Sequence, residues 1–222
     1  MPPRAAVLIL IVAGVLSAAP AAAQDAWSPT RVVQVSVDEP QPDPPGPYVI
    51  DVRGVISGLP QSAGFFPTLP ADTVVPSRGL GFDLGAHVYI FTLGRSRVGV
   101  GANVIRVLGR TASAAATLPA VERTFTALTP QISFNFGTED GWSYLSAGYG
   151  TGQVETSAEP PTGPELTRDS GRVGSINYGG GARWFLAARM AFGFDVRFHR
   201  LSAGSATPGA TLVAASVGLS LR

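Results

Sequence analysis

Leu80-Gly-Phe82-Asp-Leu84-Gly-Ala86-His-Val88-Tyr-Ile90 places an apolar residue at every even position and sets Gly81, Asp83, Gly85 and His87 among the odd ones. Successive side chains of a strand point to opposite faces, so the segment has one oily face and one small or polar face. The pattern recurs along the chain. Ile50, Val52 and Ile56 alternate with Asp51 and Arg53 in residues 48–56, and Val98, Val100, Ala102 and Val104 alternate with Gly99, Gly101 and Asn103 in 98–106. Residues 125–136, 142–153, 173–185 and 210–221 behave likewise, and 191–201 is the sharpest, with Phe192, Phe194, Val196 and Phe198 against Gly193, Asp195, Arg197 and His199.

The connections sort by length. Those at 92–97, 137–141 and 186–190 are short, those at 57–79, 107–124 and 154–172 are long and rich in Gly, Pro, Ala and Ser, and 202–209 is intermediate. In an outer-membrane barrel, tight turns face the periplasm and long loops face outward, and an even strand number produces this alternation. A soluble sandwich has no reason to sort its loops so. The expected fold is all-β, an eight-stranded antiparallel up-and-down transmembrane β-barrel over residues 48–222.

Alternation alone does not separate lipid from lumen, because a soluble barrel of lipocalin type turns its apolar face inward. Three features favour apolar-out. The opposite face carries Asp51, Arg53, Asp83, His87, Arg183, Asp195, Arg197 and His199, a mixture of both signs that can pair in a narrow lumen where lone charges are costly. It also carries Gly99, Gly101, Gly148, Gly150, Gly179, Gly181 and Gly193, which suit a crowded interior. Finally, Phe91, Phe134, Phe136, Trp142, Trp184, Phe185 and Phe192 gather beside the short turns, where an interfacial girdle belongs. Pro130 lies on the oily face of its strand and predicts a bulge or local irregularity.

Upstream, Met1-Pro-Pro-Arg4, the apolar run 5–16 and Ala21-Ala22-Ala23 read as a secretory signal over 1–23, cleaved before Gln24; an uncleaved N-terminal anchor is the alternative. Residues 24–47 form a proline-rich periplasmic lead-in, within which 31–37 reads equally as a short strand or as disorder. With no Cys there are no disulfides, thiolate metal sites or thiol chemistry. The 16 basic residues, all Arg, nearly balance 15 acids, which leaves no electrostatic footprint for nucleic acid.

Residues 48–222 resemble the eight-stranded outer-membrane barrel superfamily that includes the OmpA transmembrane domain and OmpX-like proteins. The strings that carry the resemblance are Ile132-Ser-Phe-Asn-Phe-Gly137, Asn177-Tyr-Gly-Gly-Gly-Ala-Arg-Trp-Phe185 and Phe192-Gly-Phe-Asp-Val-Arg-Phe198, with the C-terminal strand. The resemblance implies outer-membrane lipids, lipopolysaccharide and the barrel-assembly machinery as partners. Such barrels typically end on an aromatic residue read by that machinery; here Arg222 takes the place.

Some members deacylate lipid A with a His and a Ser in the last strands, and Asp195-Val-Arg197-Phe-His199-Arg-Leu-Ser202 looks somewhat like that pattern. Their His and Ser are two apart, whereas His199 and Ser202 are three apart and fall on opposite faces of a regular strand. Gly179-Gly-Gly181 lies inside a strand pattern without a following helix or Lys, so it is no phosphate loop. Two His, His87 and His199, and an isolated Glu139-Asp140 turn make no metal-ligand constellation. Eight strands enclose an interior that side chains just fill, whereas wide water-filled pores need ~16 or more. The expectation is therefore a structural or surface-interaction protein of the cell outer membrane, with a polar lumen, long extracellular loops with no ligand assigned, and no catalytic residues, cofactor or metal. A lipid A hydrolase and a narrow, low-conductance channel are the alternatives.

Overall fold

The computed structural model describes residues 47–222 apart from 95, 139, 140 and 206. The expected signal 1–23, all but the last residue of the lead-in 24–47 and the Glu139-Asp140 turn lie outside the described residues. Nine strands follow one another: β1 Tyr48–Gly58, β2 Arg78–Leu93, β3 Ser96–Thr111, β4 Ala120–Thr138, β5 Gly141–Glu159, β6 Leu166–Asp169, β7 Val173–Ala187, β8 Met190–Leu201 and β9 Ala210–Leu221. Among the described residues the regular structure is all-β, with one 3-10 turn at Ala63–Phe65. Eight strands pair antiparallel with their sequence neighbours, β5 with β7, and the sheet closes where β1 meets β9, from Ile50↔Leu221 to Ser57↔Ala214. The result is a closed up-and-down barrel. β6 stands outside the closed ring, paired only with the upper part of β5 through Glu155↔Asp169 to Ala158↔Leu166.

The period-two pattern decides which face each residue takes. Ile50, Val52, Leu84, Val88, Ile132, Leu145, Phe192, Phe194, Val217 and Leu219 all remain exposed on the outer wall, while the residues between them are buried inside. No soluble protein gains from so large an exposed apolar surface, since each such side chain forfeits about 1.5–3 kcal/mol of burial in water. On β3, β4 and β5 the outer face turns polar above this wall, at Arg106, at Thr126, Thr124 and Glu122, and at Thr151 and Gln153. These strands run beyond the spans that alternation marks, because pairing continues past the apolar belt into the long connections.

One expectation is met in part and another requires correction: a local irregularity accompanies Pro130 without a bulge, and two aromatics change place. Pro130 produces no bulge: β3 and β4 stay in register through Ala102↔Pro130, and β4 and β5 keep one register on either side of a gap between Leu128↔Thr151 and Gln131↔Gly148. Proline donates no N–H, so rungs are lost without the strand slipping. Trp142 and Phe185 leave the aromatic girdle. Trp142 pairs across from inward-facing Arg183 and is buried, and its ring meets the partly buried Phe185 edge-on at 5.1 Å. Phe91, Phe134, Phe136, Trp184 and Phe192 are exposed on the outer wall.

Close strand contact makes some inward glycines irreplaceable. A Cβ on Gly101 would stand 2.0 Å from the Ala86 carbonyl oxygen, which is backbone and cannot yield. Gly101→Val is expected to destabilise the barrel by at least ~3 kcal/mol. Urea unfolding of the micelle-refolded chain measures it; a midpoint equal to that of the unsubstituted chain would contradict this account of the β2–β3 contact.

Candidate functional site: the barrel interior

Four layers fill the interior. The ionic one, second from the short turns, is built on the inward register of β1, β2, β7 and β8. Asp51 on β1 accepts hydrogen bonds from Arg183 on β7 at 3.0 and 2.7 Å, and its Oδ2 lies 2.7 Å from an Arg53 nitrogen. Arg53 reaches on to Asp83 at 3.7 Å, and Asp195 holds Arg197 through two bonds of 3.0 and 2.9 Å. Tyr144 on β5 ties these pairs together: its hydroxyl donates to Asp195 at 2.7 Å, and the Arg183 guanidinium lies 4.0 Å from its ring centre. Asn103 and Ser216 donate to Asp83, Ser220 donates to Asp51, and Asn135 accepts from Tyr89 and Arg183.

Six of the eight residues marked by sequence are thus gathered here: Asp51, Arg53, Asp83, Arg183, Asp195 and Arg197, three carboxylates and three guanidiniums, all buried. Charges balance, and bidentate pairing supplies the geometry that a desolvated ion pair needs to recover its cost. His87 lies near the group and bonds Gln131 at 3.3 Å. His199 lies apart. It is fully buried against Phe125, ring centres 5.4 Å apart, and neither ring nitrogen has a protein partner. Sequence reasoning does not single out Tyr144, although Tyr144 shares the inward parity of Ser146 two residues on.

Below the ionic layer the mouth is stoppered by aromatics. Trp142 packs against Tyr89 at 5.7 Å and Phe185 at 5.1 Å, and the Arg222 guanidinium lies 4.1 Å from the Phe185 ring centre. Above the ionic layer comes a stretch of wall whose polar atoms lack protein partners: Thr129 Oγ1, Gln131 Nε2, Ser146 Oγ, Ser175 Oγ, and both polar atoms of the Asn177 side chain, beside His199. The inward positions between them are Gly148, Gly150 and Gly179, where the neighbouring backbone comes so close that a Cβ would stand 2.0, 2.1 and 2.3 Å from a carbonyl oxygen. Buried polar groups without protein partners are the sites that ordered water satisfies.

The top layer is apolar. Val55, Leu59, Phe65, Ile105, Val107, Phe125, Val154, Leu201 and Leu212 form one buried cluster, so only part of the interior is polar. The 57–79 connection folds inward to supply Leu59 and Phe65, and this cap is tied by Leu59 N–H to Ser77 O at 2.9 Å. Arg123, buried beside it, donates to the Pro76 carbonyl at 3.2 Å and packs on the Phe66 ring at 4.6 Å. A loop plug built from apolar residues leaves no period in sequence.

For hydrolysis, the geometry is poor. His199 points inward and Ser202 is exposed in the connection after β8, so the two are not brought together. Among the described residues no group of three or more His, Asp or Glu is arranged to hold a metal ion. In the ionic layer, Arg183→Met is expected to cost about 3–5 kcal/mol, because buried Asp51 loses its main partner. The double variant Asp51→Asn/Arg183→Met should fall short of the summed losses by at least ~1 kcal/mol in the same unfolding assay, and strict additivity would show the pair to be uncoupled.

No protein-family model matches the sequence, and no curated protein matches it. Among solved structures, Neisserial surface protein A superposes with a TM-score of 0.51 at 10% identity, covering 79% of this chain and 96% of that one. The attachment invasion locus protein Ail of Yersinia pestis, in complex with the heparin analogue sucrose octasulfate, superposes with a TM-score of 0.51 at 14% identity, covering 78% and 96%. At such identities the likeness speaks for architecture alone, and it agrees with the strand count, closure and outward apolar wall described above. The fold of this chain is that of the eight-stranded outer-membrane β-barrels.

Proposed function

We propose that the chain is an outer-membrane protein exported through a cleaved signal over 1–23, with 24–47 as a periplasmic lead-in and a structural or surface-interaction role carried by its long outward loops. The observation behind this reading is an interior stopped at both ends, by Trp142, Tyr89 and Phe185 at one mouth and by the Phe65 cluster at the other, inside a wall that only lipid suits. Such an interior favours a scaffold over a pore. Binding then falls to the loops, which a rigid barrel holds in place. Separation of His199 from Ser202 favours a non-enzymatic role over deacylation. Lipids of the outer membrane surround the wall in this reading, and the assembly machinery receives the β9 strand.

The bound sugar sulfate on Ail makes polyanionic glycans a first ligand class to try on the loop side, where Arg78, Arg106 and Arg172 are exposed. In planar bilayers the purified barrel is expected to give no steady conductance steps. Steps altered by Arg197→Ala would establish the channel instead, and loss of an ester-linked acyl chain from lipopolysaccharide, abolished in His199→Ala, would establish the hydrolase.

A further inference from the structure

The outer wall is not uniformly covered. Across β4, β5, β7 and β8 the pairing register sets Ile132, Ala147, Tyr178 and Phe198 in one row and Phe134, Leu145, Gly180 and Val196 in the row below it. Where Ala147 and Gly180 stand, the wall sinks into a groove of about 660 Å³ lined almost wholly by apolar atoms. The next row down offers Ser143 and Ala182 between Phe136 and Phe194, so small residues continue the depression toward the short turns. Tyr178 and Phe198 stack face to face, ring centres 5.3 Å apart and 14° from parallel, and form one fixed bank.

One row above Phe198 on the same face stands Arg200, exposed, with Ile176 and Thr211 as its cross-strand neighbours. Among the described residues it has no carboxylate partner. The row of Arg200 is four rows from that of Phe192 beside the short turn. At ~6.6 Å per two residues and a tilt of ~40°, that separation is ~20 Å of height, close to the ~25 Å apolar band of such barrels. A cation therefore stands at the outer rim of the belt, directly over an apolar trough that descends into it. This juxtaposition matches a lipid with an anionic head and a descending chain.

We infer that the trough holds one acyl chain of a phosphorylated glycolipid of the outer leaflet, with a headgroup phosphate on Arg200. The inference rests on the membrane reading above and adds to it a defined lipid site. Arg suits the task because its guanidinium meets phosphate oxygens with two parallel bonds and stays charged at any membrane pH. The stacked bank and the small floor residues are held by strand pairing, so the groove exists before the chain enters it.

The full chain, refolded and placed in nanodiscs of phosphatidylethanolamine doped with a bisphosphorylated glycolipid, is extracted into mild detergent and weighed by native mass spectrometry. One glycolipid retained per barrel is expected, with at least fivefold lower retention in Ala147→Trp, which fills the trough, and in Arg200→Gln. Ala86→Trp, a matching enlargement on the outer face of β2 across the barrel, should retain glycolipid as the unsubstituted chain does. Urea unfolding confirms that each variant is folded, and Ala147→Leu replaces Ala147→Trp where the larger residue prevents refolding. Equal retention in the Ala147 and Ala86 variants overturns the site, as does retention of phosphatidylethanolamine in place of the glycolipid, or no retained lipid in the unsubstituted chain. A chain that never enters the nanodisc overturns the membrane reading instead.

Discussion

Closure of the sheet is the constraint from which the remaining features follow. In hydrocarbon an unpaired peptide group costs several kcal/mol, so a sheet can cross a membrane only when its first and last strands find each other. Here they do so along β1 and β9, from Ile50↔Leu221 to Ser57↔Ala214. Closing on only eight strands fixes a narrow interior, and the contents of that interior are set by its width. Glycine is used where backbone from the next strand comes close, as at Gly101 and Gly181, and large side chains are admitted only where a partner meets them across the lumen.

The interior solves the burial of polar groups differently at different heights. Low down, three Asp and three Arg neutralise one another, with Tyr144 bonded to Asp195 and stacked under Arg183. Such a layer specifies register, because a one-residue slip of β8 would turn Asp195 and Arg197 outward together and leave Tyr144 without its acceptor. High up, the 57–79 connection folds in and completes an apolar plug. Between them, Asn177, His199 and Ser175 carry buried polar atoms without protein partners, the groups that ordered water satisfies.

Strand number, antiparallel order and the inside-outside assignment were legible in sequence because one physical rule, alternation with period two, writes all three into every strand. The charged residues on the inward parity were legible for the same reason. Their individual partners were not: Asp51 bonds Arg183 from a strand 132 positions later, and only the tilt and stagger of the closed barrel bring them level. Nor was the plug legible, since Phe65 lies in a connection where no repeat constrains it. Trp142 shows a third kind of failure. Proximity to a short turn suggested the girdle, while its parity with Tyr144 and Ser146 put it inside, and parity prevailed because the pleat leaves a side chain no choice of face. The irregularity at Pro130 was legible from its missing donor, but its form was not: rungs are dropped without a shift of register.

The stacking of an apolar layer over an ionic one gives the two ends of the barrel opposite responses to temperature. Apolar burial weakens on cooling, since its driving force near ambient temperature is entropic. The desolvation cost of paired ions falls as temperature rises, because charged groups are hydrated less favourably in warmer water. Cold therefore loosens the loop-side closure around Phe65 and Leu59 first, while warming leaves the Asp–Arg layer relatively better off. A molecule of this build has one end that softens on cooling and one that holds on warming, and its long connections are seated on the softer one.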